Sequence, residues 1–401
     1  MRQYKQYKST VSSQITKIAT LAVSIGIASI LIAIATSKGL QREIQLKTSV
    51  FNGHIRVTLF ENNESQISVL PLKDSQEVVN AIEAQKNIFT YHAYATKAGM
   101  LKSNEEFEGI LFKGVSEKMD WTLLEDFLVE GSFPVFSDAK KEGILISRVL
   151  AQRLKLSIGD RVDSYFQNEN NPENPRRRRY IVQGIYASGF PEIDENLVMG
   201  SLEQIQRLNS WAADEIGGYE IFIRDFKELL FTSDKLYDAL PSDLDSISIA
   251  DRYSSIYQWI SLFDFNVLVI LVVMLLVGVI NMATALLVLI LERSRMVGVL
   301  KALGAENQLI QRIFLLNGAV ILLRGLFWGN SLGLLFYFSQ KYWGWIQLDP
   351  ESYFVEKAPV LIEVFDLIAL NAFFLLISLV LLWIPSRIIL RISPTKTLRF
   401  R

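Results

Sequence analysis

The sequence predicts a membrane α-helical protein in which four transmembrane helices carry a large α+β extracytoplasmic domain between helices 1 and 2. Half of the 401 residues are hydrophobic and the mean hydropathy is +0.25, which is high for a soluble chain and low for one made only of membrane spans. The apolar residues gather in four stretches, and Lys and Arg are unevenly distributed around them. A chain with both membrane and soluble parts follows from these observations.

Four stretches are long and apolar enough to cross a bilayer as helices. Such a helix needs about 20 residues, each rising about 1.5 Å. The first two stretches carry no charge, the third is interrupted only by Arg324, and the last is uncharged from Leu367 onward. The predicted spans are 18–36, 265–291, 313–340 and 365–386.

Loop charges predict the orientation, because Lys and Arg near span ends stay preferentially in the cytoplasm. Basic residues precede span 1, separate spans 2 and 3, and follow span 4, whereas the loop between spans 3 and 4 is mainly acidic. We therefore expect a multi-pass protein of the inner membrane with both termini in the cytoplasm and a periplasmic large domain. The predicted cytoplasmic segments are 1–17, 292–312 and 387–401, and the extracytoplasmic ones are 37–264 and 341–364.

The N-terminus has two interpretations. Basic residues, an apolar run and the small triplet Ala33-Ile34-Ala35 are compatible with a cleaved signal peptide. The apolar run is longer than a usual signal-peptide core, and cleavage would leave three spans, which does not fit the remaining charge pattern. A signal anchor is favoured.

The predicted periplasmic domain has no cysteine, so its fold must rest on its own hydrophobic core. "HIRVTLF" (54–60) and "YEIFIRDF" (219–226) alternate apolar and polar residues, which predicts strands. "SRVLAQRLKL" (147–156) has helical spacing with Ser147 as N-cap, and "SIGD" (157–160) is the predicted stop. Two more helices are expected in "SLEQIQRL" and "FKELLFTSDKLYDAL", and "DRYSSIYQWISLFDF" predicts a helical stalk running without a break into span 2.

Motifs for catalysis and for cofactor binding are absent from the sequence. It contains no GxxxxGK[ST] phosphate loop, no HExxH and no GxSxG, and His54 and His92 are its two histidines. We therefore expect no catalytic residues, no metal site and no cofactor. Any nucleotide chemistry would belong to another subunit.

The predicted cytoplasmic stretch 292–312 contains an amphipathic helix. Gly304 is its predicted stop. Its apolar positions follow helical spacing and comprise Met296, Val299, Leu300 and Leu303. Periodicity alone leaves two interpretations open: docking into a groove on a soluble partner, or lying on the lipid headgroups.

This stretch, "VGVLKALGA", followed by a glycine-rich span, resembles the coupling region of the FtsX-like permease family, which includes lipoprotein-releasing permeases, MacB-type exporters and FtsX itself. The ending "ISPTKTLRFR" resembles that family's closing signature, and Met296 stands where the family often has an acidic residue. The resemblance implies that a separate ABC ATPase, which binds the ATP, docks against the coupling region. The residues so assigned are Met296, Val299, Leu300, Lys301, Leu303 and Gly304.

The extracytoplasmic segment resembles the lipoprotein-releasing branch, through "REIQLKTSVFNGHIRV" (42–57) and through the stretch 164–200, where that branch has a protruding loop between two strands. In that branch a loop at this place engages a periplasmic lipoprotein carrier. Asn, Pro and Glu crowd 168–175, which predicts a loop, and the arginines begin the returning strand. The carrier-binding residues so implied are Asn171, Pro172, Pro175, Arg176, Arg177, Arg178 and Arg179. A solvated basic edge and contact with anionic lipid are the alternatives for the arginines, and nucleic acid is not an expected partner.

Arg324 is a charge inside predicted span 3, where burial in hydrocarbon is costly. We expect a structural ion pair or a snorkelling side chain, with Asp264 and Asp366 as candidate partners. The glycines of the same span predict close packing inside the helix bundle.

The resemblance implies an ABC transporter of two permease chains, alike or related, and two ATPase copies. Membrane lipoproteins would be extracted as cargo and passed to the carrier. Two alternatives stay open: a MacB-like exporter of peptides or small molecules, and an FtsX-like regulator of cell-wall hydrolases.

Overall fold

The computed structural model describes residues 2–62, 66–103, 106–136, 142–168, 173–349 and 353–387. The chain divides into two compact units. A membrane unit takes in 1–42, 259–347 and 357–401, and an ectodomain unit takes in 43–258 and 348–356. The predicted fold class is confirmed.

Four of the helices are long and apolar enough to cross a membrane, and each contains one predicted span and extends beyond it. They are α1, α8, α10 and α11. In chain order the helices of the described residues are α1 (Arg2–Asn52), α2 (Gln76–Glu83), α3 (Arg148–Leu154), α4 (Pro191–Asp194), α5 (Leu202–Asn209), α6 (Leu229–Ala239), α7 (Ile249–Arg252), α8 (Ser254–Glu292), α9 (Ser294–Ala302), α10 (Asn307–Trp343) and α11 (Val364–Ser386).

In the membrane unit a glycine stripe lets α10 approach α1 closely. A Cβ atom on Gly325 would lie 2.5 Å from Val23 Cγ1, and one on Gly329 would lie 2.7 Å from Ile27 Cβ. The Ser24 hydroxyl donates to the Gly325 carbonyl at 3.1 Å. Small residues four apart permit such contact between helices in lipid, so these glycines pack as the sequence predicted.

Helices α10 and α11 are joined by polar side chains within the membrane unit. Asn330 Nδ2 donates to Asn371 Oδ1 at 2.6 Å, and Asn371 Nδ2 returns the bond at 3.1 Å. Gln311 Nε2 donates to the Ser386 hydroxyl at 2.6 Å. Each amide therefore meets a polar partner rather than hydrocarbon.

The ectodomain is built on a mixed ten-stranded sheet, in the order β12-β1-β11-β3-β4-β9-β6-β8-β5, with β7 pairing both β3 and β8. A separate two-stranded sheet joins β10 and β2. The strands are β1 (Ile55–Leu59), β2 (Leu72–Lys73), β3 (Ile88–Lys102), β4 (Phe107–Val115), β5 (Leu128–Gly131), β6 (Gly143–Ser147), β7 (Arg161–Phe166), β8 (Arg176–Tyr186), β9 (Leu197–Ser201), β10 (Glu215–Ile216), β11 (Gly218–Ile223) and β12 (Leu244–Ser248).

Six strands of this sheet close into a ring. Strand β7 pairs β3 on one side and β8 on the other, while β4, β9 and β6 connect β3 to β8 by the opposite route. Phe112, Phe166 and Tyr180 meet across it, with Phe112 stacked on Tyr180 at a centroid distance of 5.0 Å. Closure leaves these six strands without open edges over their paired stretches.

Strands β1 and β11 form in the two stretches where alternation predicted strands, and both are largely buried. All six residues of β11 and four of the five residues of β1 are buried. One face packs on a core that includes Ile55 and Ile221, and the other side of the domain has a second core that includes Phe51 and Tyr94. The alternating polar residues Arg56 and Glu220 are therefore buried as well.

The predicted helix after β6 is confirmed. Ser147 is its N-cap and accepts from the Leu150 N–H at 3.0 Å. The helix ends at Leu154, before the predicted stop, because Lys155 takes a left-handed backbone with φ of 54°. The predicted stalk is broken once: α7 ends at Arg252, Tyr253 leaves helical geometry, and α8 then runs unbroken from Ser254.

Candidate functional site

The amphipathic helix between spans is shorter than the stretch 292–312 that the sequence predicted as its segment. Helix α9 covers Ser294–Ala302, and residues from Asn307 onward already belong to α10. Gly304 ends α9 with φ of 90°; its N–H donates to the Lys301 carbonyl at 3.1 Å, and the Ala305 N–H donates to the Leu300 carbonyl at 2.9 Å. This is a Schellman C-cap, which requires a residue such as glycine at that place.

Helix α9 has one exposed apolar face and one buried apolar face. Met296, Val299 and Leu303 are exposed, and Leu303 keeps 80% of its surface open. Val297 is fully buried, and Leu300 is half-buried against the same apolar cluster. That cluster, formed by the ends of α8 and α10 together with α9, consists of Leu286, Ile290, Val297, Ile310 and Phe314. Leu300 therefore anchors the helix, and the other three residues form the free surface.

The β7–β8 hairpin carries the residues predicted to bind a carrier. Asn171 and Pro172 lie outside the described residues. Pro175 is exposed immediately before β8, and the four arginines occupy the first positions of that strand, as the sequence predicted. The arginines thus stand on a strand, beside the loop rather than within it.

Each of the four arginines has a hydrogen-bond partner within the ectodomain, and for Arg178 it is the neighbouring Arg177 carbonyl, at 3.3 Å. Arg177 Nη2 donates to Asp163 Oδ2 at 2.5 Å, and Arg179 Nε donates to Asp163 Oδ1 at 2.9 Å. These hydrogen bonds lower the pKa of the Asp163 carboxyl. Arg176 donates to the Leu208 carbonyl at 2.7 Å, at the C-terminal end of α5. One carboxylate thus offsets part of the charge, and the strand keeps a net positive face.

Arg324 lies on an exposed face of α10, beside the exposed Leu323 and Phe327. Within the described part of the chain, no carboxylate lies within 4.0 Å of it. Asp366 instead accepts from Lys38 at 2.6 Å, and Asp264 accepts from Gln41 at 3.0 Å. The predicted pairing of Arg324 with either aspartate was wrong, because both carboxylates instead bind residues of α1, Lys38 and Gln41.

The ectodomain contains a buried ionic cluster that sequence reasoning missed. Glu220 has no exposed surface. The strand register sets Arg56 of β1 and His92 of β3 directly opposite it, on either side. Arg56 Nε and Nη2 donate to Glu220 Oε1 at 3.0 and 2.7 Å, and His92 Nε2 lies 3.3 Å from Oε2. The Lys113 ammonium, also buried, donates to Glu220 Oε2 and to the Phe51 carbonyl.

The charge states follow from these contacts. Burial alone would raise the pKa of Glu220, but Lys113 and Arg56 outweigh burial and hold that pKa well below its usual range. Burial lowers the pKa of Lys113 to about 8 and also lowers the pKa of His92. His92 is therefore neutral at neutral pH, and two cations face one carboxylate. The sequence contained one signal, because each of the two alternating strands carries a charged residue, Arg56 or Glu220. Alternation alone does not say whether the polar face of a strand is exposed to solvent.

Comparisons with known proteins identify the family. The profile described as the MacB-like periplasmic core domain matches residues 16–224, just over half of the chain, and the profile described as the FtsX-like permease C-terminal domain matches residues 268–394. The chain belongs to the FtsX-like and MacB-like permease family. It is therefore an ABC transporter permease, a kind of membrane subunit that implies a separate ATPase.

The permease is similar along nearly its whole length to curated relatives. It is 21% identical to the lipoprotein-releasing system transmembrane protein LolC of Neisseria meningitidis, over 97% of this chain and 94% of the relative. It is 19% identical to the corresponding protein LolE of Haemophilus influenzae, over 98% of this chain and 95% of the relative. The predicted resemblance to this family is confirmed.

Two solved structures are similar to part of the permease. The periplasmic region of MacB from Actinobacillus actinomycetemcomitans is 12% identical, with a TM-score of 0.35, and the match covers 50% of this chain and 91% of that one. The extracellular domain of the transporter YknZ from Gram-positive bacteria is 13% identical, with a TM-score of 0.34, and the match covers 48% of this chain and 99% of that one.

Proposed function

We propose that this permease extracts lipoproteins from the inner membrane and passes them to a periplasmic carrier, driven by a separate ATPase. The observation that carries the proposal is the similarity over 97% of the chain to a protein named for lipoprotein release, which takes in both the ectodomain and all four apolar helices. Moving an acyl chain out of lipid costs about 0.8 kcal/mol per CH₂. Such extraction needs an energy source, which an ATPase partner supplies.

The exposed surface of α9 is our candidate for the ATPase contact. Met296, Val299 and Leu303 protrude from a helix held in place by Val297 and Leu300. An apolar helix face that fits into a groove on a soluble partner is a recurrent recognition mode. The rigid attachment to α8 and α10 would let motion of the ATPase reach both membrane helices.

Replacement of Leu303 by Asp tests this docking surface. A carboxylate in an apolar groove has no partner, so we expect the variant to lose the ATPase on copurification from the membrane while it still inserts. Leu309→Asp, which is also exposed and lies on α10, is the matched control and should retain the ATPase. Full ATPase recovery with Leu303→Asp would contradict the assignment.

Cargo and a second permease chain, identical or related, would meet the apolar outer surface of the membrane unit. Half of the most apolar stretch of α1 is buried, but only 17% of that of α8 is. Among the four apolar helices, α8 is therefore the one whose apolar surface is least buried. We propose that a second permease chain and the acyl chains of the cargo occupy part of this surface, with lipid covering the rest.

The β7–β8 hairpin is our candidate for contact with the carrier. Its arginine face keeps a net positive charge, and charges at the rim of an interface mainly speed encounter. Because Arg177 and Arg179 already bind Asp163, we expect the loop itself to supply most of the carrier affinity. The arginines would steer an acidic carrier surface.

Shortening of the loop 168–174 to two glycines in the full-length permease is the test. We expect binding of the periplasmic lipoprotein carrier, measured by surface plasmon resonance on the assembled transporter, to be abolished. ATP hydrolysis should continue. Shortening of the β3–β4 turn at 103–106 is the control and should leave carrier binding intact. Equal carrier affinity in the two variants would contradict the carrier contact and favour peptide export or regulation of a cell-wall hydrolase instead.

A further inference from the structure

An open cleft in the ectodomain borders the buried ionic cluster. It has a volume of about 40 Å³, and an adjoining cleft of about 20 Å³ shares four of its lining residues. The shared residues are Arg56, Gln66, Thr96 and Arg252. The polar groups therefore come from several separate parts of the chain and converge on one space.

The charges lining this space are not balanced. Arg56 and Lys113 face the cleft while sharing the single buried carboxylate of Glu220. Arg252 adds a third cation, half-buried, and it forms no hydrogen bond or ion pair among the described residues. Glu192 also lines the cleft, but its side chain is exposed at the surface, where water and salt screen it.

An uncompensated cation in such a position is costly. Removing a guanidinium from water without a partner carries a desolvation penalty that a counter-charge would offset. Burial lowers the pKa of Arg252, and repulsion from the nearby Arg56 lowers it further. An anion placed between the two guanidinium groups would relieve both penalties.

We propose that this cleft binds a small tetrahedral oxyanion of the phosphate class between Arg252 and Arg56. The guanidinium fork matches the oxygen spacing of phosphate. The donors approach from different strands and from α7, so an anion with oxygens in several directions uses them better than a planar carboxylate does. The phosphate can belong to a soluble molecule or to a lipid headgroup.

The first experiment measures phosphate binding by the full-length permease in dodecyl maltoside micelles, which contain no phosphate. Inorganic phosphate is titrated at constant ionic strength against chloride, and thermal unfolding of the ectodomain is followed, since a ligand that binds the native state stabilises it. Wild type is compared with Arg252→Gln, and Arg207→Gln is the matched control because Arg207 is exposed and pairs only with Glu203 among the salt bridges of the described residues.

We expect phosphate to raise the unfolding temperature of wild type and of the control, and the affinity of Arg252→Gln to fall at least tenfold. Without phosphate, Arg252→Gln should be no less stable than wild type, because it removes an uncompensated cation. That combination separates a ligand site from a structural role, in which the variant would be less stable in both buffers. An equal rise in Arg252→Gln would overturn the proposal, and so would a wild type that neither inorganic phosphate nor the lipid of the second experiment stabilises.

The second experiment assigns the source of the phosphate. Mixed micelles with phosphatidylglycerol replace inorganic phosphate, and the same three proteins are compared. If this lipid stabilises wild type but not Arg252→Gln, and free phosphate adds no further stabilisation, the phosphate belongs to a lipid headgroup. A stabilisation by free phosphate alone assigns it to a soluble anion. Both outcomes support the site, and the absence of both removes it.

Discussion

The ectodomain and the membrane unit treat polar groups in opposite ways. The ectodomain buries a full ionic cluster, with Glu220 between Arg56, Lys113 and His92. The apolar middle of the membrane unit instead joins its helices through neutral amides and hydroxyls, as in the Asn330–Asn371 pair. Its ion pair from Lys38 to Asp366 is at the start of α11. Protein packing around a buried charge can provide several fixed donors, whereas hydrocarbon provides none.

Apolar side chains show the same contrast in reverse. In the ectodomain the large apolar residues of β1 and β11 are buried, apart from the partly buried Leu59. In the membrane unit, long apolar side chains stay exposed along α8 and α10. The ectodomain is therefore stabilised by removing apolar side chains from water, whereas the membrane unit is stabilised by close packing of helices whose outer surface contacts lipid.

The largest expected effect comes from Glu220→Gln, which removes the counter-charge of the ectodomain cluster. Two buried cations then remain without a carboxylate, and breaking a buried pair costs about 3–5 kcal/mol. Hydrogen exchange of the β1 and β11 amides in the full chain measures the loss. Glu203→Gln is the control; its side chain keeps 43% of its surface open, and the change should be less than about 0.5 kcal/mol. Similar values for the two variants would mean that the cluster contributes little.

The same cluster predicts sensitivity to acid. The native pKa of Glu220 lies below the usual value of 4.5, so below that pH the unfolded chain takes up a proton that the native state does not. The contribution is fully present above about pH 4.5 and falls at about 1.4 kcal/mol per pH unit below it. Hydrogen exchange at pH 3 to 5 should show this slope in wild type and not in Glu220→Gln.

A smaller effect is expected in the membrane unit from Gly329→Ala. The added Cβ would meet Ile27 Cβ at 2.7 Å and the Ser24 carbonyl at 2.8 Å, and overpacking costs about 1–3 kcal/mol. Gly318→Ala is the control, because its Cβ would meet Leu382 Cδ1 at 3.4 Å, an acceptable contact. Unfolding of the detergent-solubilised chain by sodium dodecyl sulfate measures both. Equal midpoints would contradict close packing of α10 on α1.

The smallest expected effect is the coupling between Asn330 and Asn371. A double-mutant cycle with leucine at each position should give about 0.6–1.7 kcal/mol, as for other hydrogen bonds between membrane helices. The same detergent titration applies, and both positions are distant in sequence from the ionic cluster. A coupling above that of the ectodomain ion pairs would reverse the comparison between the two regions.

Some parts of the candidate sites could be predicted and others could not. The place of the arginines at the start of β8 and the stop of α9 at Gly304 follow from loop-forming residues and from backbone freedom, which are local properties. The packing of Leu300 against the apolar cluster at the ends of α8 and α10 was not predictable. Periodicity places Leu300 and Val299 on the apolar side of the helix but does not say where the neighbouring helices lie. The partners of Asp264 and Asp366 depend on α1, far away in the sequence.

The sequence by itself determined the four apolar helices, the separate ectodomain and the capped helix after β6, because span length, hydropathy and N-capping depend on nearby residues and on the solvent. Only the tertiary structure decided that β1 and β11 are covered on both faces and that Arg56 meets Glu220, 164 residues away. The physical reason is that strand register and the second covering layer set which polar residues lose water. Those are properties of the packed sheet, and the alternation within a single strand does not contain them.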